Sequence, residues 1–378
     1  MATVIMLNAS AFLTLFYLGL MGVYRRGWKR LRVSENNIAA NPEIFVSIII
    51  PARNEEKNIE NLLNALLHQD YPRSNYEIIV VDDHSEDRTA EIIKLLSAEN
   101  PSIRLVEMSK TKGKRYKKAA ITEGIKVSKG EIVVTTDADC VMGNHWLSTV
   151  VAFFGATNAA LVSGPVVFST QKSFFHKILQ LEFAGLVGIG AAALRLKSPN
   201  MCNGANLAYR KDIFNEVDGY TGNDNLPSGD DEFLMHKVFE KYPESVFFLK
   251  NREAVVETPP PATFGEFLNQ RMRWVSKSTQ YSDKKITLLL ALAYLFNLSM
   301  LVNGLLAFTN ILFLYVFIIQ VAAKVCIEYL LYGGILEFFN LKSLKKYIIA
   351  AQPFHIAYVL AIGILGNFGK YSWKGRKQ

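Results

Sequence analysis

Cysteine is scarce in this 378-residue chain, and charged residues make up only 20% of it. The three cysteines, Cys140, Cys202 and Cys326, are far apart and form no CxxC pair. This spacing excludes a disulfide framework and a structural zinc site, and it favours a reducing compartment. The sequence also has no GxxxxGK[ST] loop and no GxGxxG motif after a strand. P-loop nucleotide hydrolysis and dinucleotide-dependent redox chemistry therefore lose their main support.

The formal net charge is +8, although half of the residues are apolar. Much of the positive charge lies in four segments that contain no acid, at residues 25–32, 110–118, 342–346 and 370–377. Three of these segments flank long apolar runs. The basic balance therefore indicates contact with a membrane surface, and it does not favour nucleic acid as a partner.

The N-terminal segment, residues 1–24, contains no charged side chain. A helix of this length crosses a hydrocarbon core of about 30 Å at about 1.5 Å per residue. Basic residues follow the apolar run instead of preceding it, which is the reverse of a cleaved signal peptide. We therefore expect an uncleaved anchor, with residues 25–44 as a basic linker on the cytoplasmic side.

The C-terminal region, residues 286–368, is expected to contribute two or three further spans. Its last apolar run, residues 347–368, is predicted to be either a span or a re-entrant segment, because the basic tail at 369–378 favours the cytoplasmic side. Lys324 and Glu328 interrupt the middle run at i, i+4 spacing. We expect them to pair with each other or to reach towards the interface, rather than to form a transport site.

Residues 45–283 have an ordinary globular composition, in which short runs rich in Ile and Val alternate with segments of helical periodicity. This alternation predicts an α/β domain with a parallel sheet covered by helices on both faces. Ligands then bind beyond the carboxyl ends of the strands. The predicted strands are residues 45–50, 77–81, 103–107, 131–136 and 160–167, and the predicted helices are residues 55–67, 89–98, 117–127 and 145–154.

Two pairs of acids follow predicted strands, Asp82 with Asp83 and Asp137 with Asp139. Acids at such positions are also common as turn formers and helix caps. Asp137 and Asp139 are separated by one residue, so both carboxylates can address one divalent cation and leave positions for phosphate oxygens and water. The basic stretch at residues 110–118 could be a solvated helix face, but a diphosphate-binding role suits it better.

Six short motifs occur in order along residues 45–283. They are Val46–Glu56 (VSIIIPARNEE), Ile79–Asp83 (IVVDD), Thr135–Asp139 (TTDAD), Asn203–Asn206 (NGAN), Ser228–Glu232 (SGDDE) and Gln270–Trp274 (QRMRW). Together they resemble the motifs of the membrane-bound family 2 glycosyltransferases with a GT-A fold. The resemblance covers essentially all of residues 45–283 and ends in a QxxRW pattern just before a membrane run.

The resemblance implies a role for each site residue. The nucleotide pocket would be lined by Pro51, Ala52 and Glu55, and the base would be held by Asp83 with Asp82. Asp139, helped by Asp137, would hold Mg²⁺ or Mn²⁺ on the donor diphosphate, near Lys114. Asp231 would be the general base. Gln270, Arg273 and Trp274 would close over the site, with Arg273 at the diphosphate and Trp274 near the acceptor.

These residue types suit the displacement of a nucleotide diphosphate from a sugar. A base removes the proton of the acceptor hydroxyl, and cations stabilise the charge on the leaving group. With one base and no second nucleophilic carboxylate, we expect inversion, giving a β-linkage from an α-linked donor. Asp230 and Glu232 compete with Asp231 for the base role, because adjacent acids often begin a helix.

Two apolar segments are expected to lie on the bilayer surface, near residues 174–196 and 264–280. The first falls between the metal motif and the proposed base, and both of these must be cytoplasmic. A site held against lipid favours a lipid-borne acceptor. Trp274 can also act as an interfacial anchor.

The sequence therefore predicts an inverting, metal-dependent hexosyltransferase of the cytoplasmic membrane, multi-pass and with a cytoplasmic catalytic domain. Its expected substrates are a nucleotide sugar, most simply a UDP-sugar, and a lipid, polyprenoid or glycan acceptor, and no protein partner is predicted. One alternative is a processive polysaccharide synthase, which shares every motif. Another is a non-catalytic binding module, which the joint presence of Asp83, Asp139, Asp231 and Arg273 disfavours.

Overall fold

The computed structural model describes residues 1–34, 43–109, 117–222, 228–276, 284–368, 372–373 and 376–377. The chain divides into two compact units. The helical unit consists of Met1–Arg30, Thr170–Ala192 and Pro261–Gln378. The sheet unit consists of Leu31–Ser169 and Ala193–Pro260.

Twelve strands lie in the described part of the chain. The strands are β1 (Val46–Ala52), β2 (Tyr76–Asp82), β3 (Ile103–Glu107), β4 (Ile132–Thr135), β5 (Val141–Met142), β6 (Leu161–Ser163), β7 (Val166–Phe168), β8 (Leu207–Arg210), β9 (Val246–Phe248), β10 (Val256–Thr258), β11 (Ser372–Trp373) and β12 (Arg376–Lys377). The sheet unit contains a seven-stranded mixed sheet with the strand order β3-β2-β1-β4-β8-β6-β9, and a three-stranded sheet with the order β5-β10-β7. The short strands β11 and β12 pair with each other near the C-terminus.

Twelve α-helices lie in the part of the chain that the structure describes. The helices are α1 (Ala2–Arg30), α2 (Ile59–Leu67), α3 (Thr89–Glu99), α4 (Lys117–Val127), α5 (Trp146–Ala156), α6 (Phe174–Arg195), α7 (Lys211–Glu216), α8 (Asp230–Lys241), α9 (Phe264–Val275), α10 (Lys284–Leu306), α11 (Ile311–Phe338) and α12 (Ile348–Phe368).

The first four strands of the large sheet are parallel, in the spatial order β3, β2, β1, β4. Ile48 of β1, Ile79 of β2 and Val133 of β4 are completely buried. Complete burial is expected for a parallel sheet whose two faces are both covered by helices. The carboxyl ends of these strands therefore share one edge, which is where the predicted acids lie.

The prediction of a parallel sheet was wrong for one strand, β8, which runs against the other six. β8 pairs antiparallel with both β4 and β6, while β9 returns parallel to β6. The strand predicted at residues 160–167 is two strands in different sheets, interrupted at Gly164 and Pro165. Proline lacks the backbone N–H that a continuous ladder needs, which explains the break.

The helix predicted at residues 55–67 begins later, at Ile59. The backbone N–H of Glu55 donates to Thr89 Oγ1 at 2.7 Å, and Asn54 has a left-handed φ of 52°. Both features keep residues 54–55 in an irregular turn. This turn directs the residues after β1 along the carboxyl edge of the sheet.

Hydrogen bonds between polar side chains connect the apolar helices of the helical unit. Asn303 of α10 donates to Ser10 Oγ of α1 at 2.9 Å and to Gln320 Oε1 of α11 at 2.8 Å. All three side chains are buried. In apolar surroundings such bonds specify helix register, because a shifted register leaves buried polar groups unsatisfied.

The predicted pairing of Lys324 and Glu328 is confirmed, with Nζ and Oε1 2.6 Å apart and both side chains almost completely buried. Tyr17 of α1 donates to Glu328 Oε1 at 2.6 Å. Gln352 of α12 accepts from Lys324 at 2.6 Å and donates to Glu328 Oε2 at 2.7 Å. The pair is therefore enclosed by side chains from two further helices.

Five helical segments among the described residues are long and apolar enough to cross a membrane. One of them is the segment predicted as an interfacial helix at 174–196. Most of its apolar stretch, 83%, is buried inside the protein. Gly185 and Gly188 let α6 approach Tyr332 and Ile335 of α11 closely. The five segments are Thr3–Arg30, Phe174–Arg195, Lys284–Leu306, Ile311–Phe338 and Lys342–Gly366.

We predict that Gly164→Ala destabilises the sheet unit by about 1–3 kcal/mol through overpacking. A Cβ at this position would overlap the side chain of Asn206. Asn206 cannot easily move, because its amide donates to the carbonyl oxygens of Pro165 and Ala254 and accepts from Trp146 Nε1. Chemical denaturation in detergent measures the free energy of unfolding.

The matched control is Gly155→Ala in α5, where no atom lies within 4 Å of an added Cβ. Alanine in a helix is favoured over glycine by up to about 1 kcal/mol, so this variant should be as stable as the wild type or more so. Equal stability of the two variants would show that Asn206 yields to an added methyl group.

Candidate active site

The two carboxylates that follow β4 lie close to one thiol. Cys140 Sγ is 3.8 Å from Asp139 Oδ1, and Cys140 itself is buried. Burial raises the pKa of the Cys140 thiol, and the negative charges of Asp137 and Asp139 raise it further. The Asp139 carboxylate therefore lies next to Cys140, just beyond the end of β4.

The ammonium of Lys117, the first residue of α4, lies among carboxylates from two motifs. Its Nζ is 2.6 Å from Asp137 Oδ1 and 3.3 Å from Asp230 Oδ2. Burial alone would lower the pKa of Lys117, but the charges of Asp137, Asp230 and Asp231 outweigh it and raise the pKa above the usual value for lysine. Lys117 therefore stays protonated and partly neutralises the acidic site.

Asp231 is fixed by backbone hydrogen bonds at the start of α8. Its Oδ2 accepts from the backbone N–H of Gly204 at 2.9 Å, and its Oδ1 accepts from that of Glu232 at 2.8 Å. The preceding Gly229 has a left-handed φ of 82°, which a residue without a side chain adopts at little cost. This turn brings the acids of the first helical turn to the site, where the helix N-terminus stabilises their negative charge.

The Asn203–Asn206 motif connects the site to the sheet. The carbonyl oxygen of Gly204 accepts from Thr135 Oγ1 at the end of β4, at 2.9 Å. A Cβ on Gly204 would lie 3.0 Å from both Asp230 Oδ2 and Lys117 Nζ. Glycine at this position therefore lets the ion pair and the strand end approach each other closely.

The second pair of acids, at the end of β2, is buried. Asp83 accepts from the His84 ring at 2.9 Å, and Asp82 Oδ2 accepts from the backbone N–H of Ser85 at 3.2 Å. Asp82 Oδ1 is buried without a hydrogen-bond partner in the described part of the chain. A buried acceptor without a partner is costly, so it is a candidate for bonding a ligand donor.

The residues at the end of β1 face the same edge of the sheet. Ala52 is buried, and its carbonyl oxygen accepts from the backbone N–H of Asp83 at 2.8 Å. Pro51 lies opposite Val81 in the parallel register. Glu55 is buried, and its Oε2 accepts from Asn58 at 2.7 Å. The predicted nucleotide residues of β1 and β2 are therefore neighbours.

The QxxRW residues lie on α9, in the helical unit. Gln270, Arg273 and Trp274 are each partly buried. Their i, i+3, i+4 spacing puts them on one face of the helix. Their predicted closure over the carboxylates, which belong to the sheet unit, stays a prediction. Lys114 lies outside the described residues.

Two residues of the site had no specific role in the sequence-based prediction. Arg53 donates from Nη1 to the carbonyl oxygens of Asp83 and His84, at 2.7 and 2.8 Å, and so holds the turn after β2. Lys117 was visible only as one base in the stretch 110–118. The sequence indicated Arg53 only through its place in the first motif. Its hydrogen-bond partners, the carbonyl oxygens of Asp83 and His84, follow another strand.

The carboxylates suit a divalent metal, although no group of three His, Cys, Asp or Glu residues among the described residues could hold one alone. Asp137 already contacts a cation, the Lys117 ammonium, and its side chain is 38% exposed. Two carboxylates leave further positions to phosphate oxygens and water, which is how Mg²⁺ is commonly held beside a nucleotide. Asp137 and Asp139 would then be the protein's ligands.

Comparison with known proteins identifies relatives of the chain. The model described as "Glycosyl transferase family 2" matches residues 47–218. Glycosyltransferase AglE of Haloferax volcanii is 30% identical over 229 residues, covering 61% of this chain and 71% of that protein. Beta-monoglucosyldiacylglycerol synthase of Trichormus variabilis is 30% identical over 131 residues, covering 35% of this chain and 28% of that protein.

A solved structure shares the fold along almost the whole chain. The mannosyltransferase PcManGT from Pyrobaculum calidifontis, in complex with GDP-Man and Mn²⁺, has a TM-score of 0.61 at 20% identity. The similarity covers 96% of this chain and 99% of that one. The predicted GT-A fold is therefore confirmed.

We predict that Lys117→Met lowers the free energy of unfolding by about 1.5–3 kcal/mol, the usual size of a hydrogen bond to a charged group. The variant leaves Asp137 and Asp230 without the ammonium that they share. The pKa of Lys117 is raised by folding, so its contribution is present below the unfolded-state value of about 10.4 and is lost as the pH rises through the folded-state value. The loss of stability should be equal at about pH 7 and about pH 9.

The matched control is Lys94→Met, which removes an exposed ion pair with Glu107. Exposed pairs contribute about 0–1 kcal/mol, so this variant should unfold nearly as the wild type does. If Lys117→Met is as stable as Lys94→Met, the Lys117 ammonium does not stabilise the fold by neutralising the acidic site.

Proposed function

The chain belongs to glycosyl transferase family 2, and we propose that it transfers one sugar with inversion from a nucleotide sugar to a lipid or polyprenoid acceptor at the cytoplasmic face of a membrane. The main support for this proposal is that residues of three motifs meet around Lys117. Asp137, Asp230 and the turn that fixes Asp231 approach one ammonium at the carboxyl end of β4. This arrangement supports acid–base and diphosphate chemistry at one point.

Asp231 is the proposed general base. Its carboxylate accepts two backbone N–H groups, which hold it in one orientation. Asp230, the first competitor for this role, is instead engaged by Lys117. Glu232 is more buried than Asp231. Asp231 is therefore best suited among the three acids to accept the proton of an acceptor hydroxyl.

Positive charge is proposed to stabilise the diphosphate leaving group. Lys117 supplies a protonated ammonium beside the strand end, and Arg273 would supply a guanidinium from the QxxRW motif. When bound, Mg²⁺ or Mn²⁺ would supply Lewis-acid stabilisation of the phosphate oxygens. Asp137 and Asp139 would hold that ion, and the resemblance adds Lys114 near the phosphate.

The nucleotide is proposed to lie along the ends of β1 and β2. The free Oδ1 of Asp82 offers an acceptor for a donor group of the base or ribose. The Asp83 carboxylate bonds the His84 ring, and Arg53 donates to the carbonyl oxygens of both residues, so hydrogen bonds hold the turn after β2. Pro51, Ala52 and Glu55 would complete the wall. We take UDP as the simplest nucleotide for this pocket.

A lipid acceptor is supported by the membrane character of the chain. Five helical segments are apolar enough to cross a membrane, and the relative from Trichormus variabilis is named for a glucosyldiacylglycerol product. Basic residues at 25–32, directly after the first apolar run, favour a cytoplasmic position for the sheet unit. Donor and acceptor would then meet at the membrane surface.

We predict that Asp231→Asn reduces transfer by about 10²–10⁴-fold, the usual contribution of a general base. An amide keeps the size of the side chain and one acceptor oxygen, but it does not accept the proton. Donor binding should be unchanged. The measurement is transfer of labelled sugar from a panel of UDP-sugars by membranes carrying each variant, with organic extraction of the product.

Asp230→Asn is the matched control, because it changes the neighbouring acid and weakens only the contact with Lys117. It should retain more activity than Asp231→Asn. If Asp230→Asn retains less activity than Asp231→Asn, the general base is Asp230. Label in an insoluble polymer, instead of the organic phase, would indicate a processive polysaccharide synthase.

We predict that Asp139→Ala abolishes the dependence of nucleotide binding on divalent ions. Titration of UDP with and without Mn²⁺ should show tighter binding with the ion in the wild type, and no difference in the variant. The physical reason is the loss of one of the two proposed carboxylate ligands. If Mn²⁺ still tightens UDP binding by the Asp139→Ala variant, Asp139 is not a ligand of the metal ion.

A further inference from the structure

A charged pair lies inside the helical unit at a position to which the sequence assigned no role. Glu182 of α6 and Arg271 of α9 form an ion pair, with side chains only 8% and 4% exposed. Removing two charges from water is costly, and the pair's attraction often only balances that cost. Stability alone is therefore a weak reason for this pair.

The guanidinium of Arg271 lies against the aromatic residue of the QxxRW motif. It is 4.3 Å from the ring centroid of Trp274 and 5.0 Å from that of Phe267. The ring of Phe183, the residue after Glu182, is 5.9 Å from the Trp274 ring. The indole therefore has a cation and an aromatic ring among its neighbours.

Arg271 also approaches the first residue of the motif, since its Nη1 is 3.4 Å from Gln270 Oε1. Glu182 in turn is fixed by a third helix, because Tyr358 of α12 donates to Glu182 Oε1 at 2.6 Å. The pair thus connects α6 and α12 to two side chains of the motif on α9. These contacts hold side chains that are proposed to act on substrate.

We propose that Glu182 is a positioning residue for transfer. It orients the Arg271 guanidinium, and that cation holds the Trp274 indole and the Gln270 amide in their working orientations. This inference rests on the proposed function and on the roles that the family resemblance implies for Gln270 and Trp274, which would close over the site. It assigns Glu182 and Arg271 no contact with either substrate.

The competing explanation is that the pair only stabilises helix packing. Two variants separate the explanations. Arg271→Lys keeps the charge beside Glu182 but loses the planar guanidinium that stacks on Trp274. The double variant Glu182→Gln with Arg271→Met removes both charges together, so neither charge is left buried without its partner.

The experiment measures the melting temperature of each variant in detergent, together with kcat and the donor KM for sugar transfer. We expect both variants to melt near the wild type and kcat to fall by about 10–100-fold, the usual effect of a small misplacement of a catalytic group. The donor KM should stay within about twofold, because uniform donor binding is not changed. The single variant Glu182→Gln, which leaves Arg271 unpaired, should lose both stability and kcat.

The matched control is Glu337→Gln with Lys342→Met, an exposed ion pair of the same unit. It should keep the kcat and melting temperature of the wild type. Wild-type kcat in both Arg271→Lys and the double variant would overturn the positioning role and leave the proposed function intact. A loss of kcat that only follows the loss of melting temperature would overturn it as well.

A wild type that transfers no sugar from any nucleotide donor would overturn the proposed function and this inference together. Transfer by the wild type and by the control, with loss in the two variants at unchanged melting temperature, supports both. The measurements therefore separate failure of the positioning role from failure of the proposed function.

Discussion

The arrangement of the sheet unit depends on how like charges are held together at the end of β4. Asp137, Asp230 and Asp231 come from two distant segments, and their carboxylates repel one another. The Lys117 ammonium offsets this repulsion through contacts of 2.6 and 3.3 Å. The N-terminus of α8 and the backbone N–H of Gly204 add positive partial charge. These contacts hold β4, the Asn203–Asn206 turn and α8 together.

The helical unit solves a different problem, because its apolar surroundings do not solvate polar side chains. Its buried polar groups therefore bond to one another. Lys324 and Glu328 are enclosed by Tyr17 and Gln352, while the pair of Glu182 and Arg271 holds the motif on α9. The first group connects helices, whereas the second reaches side chains proposed to act in transfer. The same physical rule, that a buried charge needs a partner, thus serves packing in one place and orientation in another.

Most of the elements could be predicted from the sequence because local pattern determines them. Apolar runs rich in Ile and Val identified β1 to β4, and helical spacing identified α3, α4 and α5 within a few residues. The antiparallel direction of β8 could not be predicted, because LAYR is four residues long and its direction depends on partner strands, β4 and β6, that are distant in the chain. The division of the strand at 160–167 was visible as Gly164-Pro165, but the transfer of β7 to a second sheet depends on pairing with β10.

The sequence by itself determined the family, the order of the motifs and the chemical types at the site, because these follow from residue identity and spacing. Tertiary structure decided which acids share Lys117, which acid of Asp230–Glu232 is held by backbone donors, and that Arg271 lies on Trp274. The physical reason is the short distance over which these interactions act. Ion pairs, aromatic contacts and buried hydrogen bonds act over a few ångströms in space between residues that are distant in the chain, and no local pattern records which of them meet.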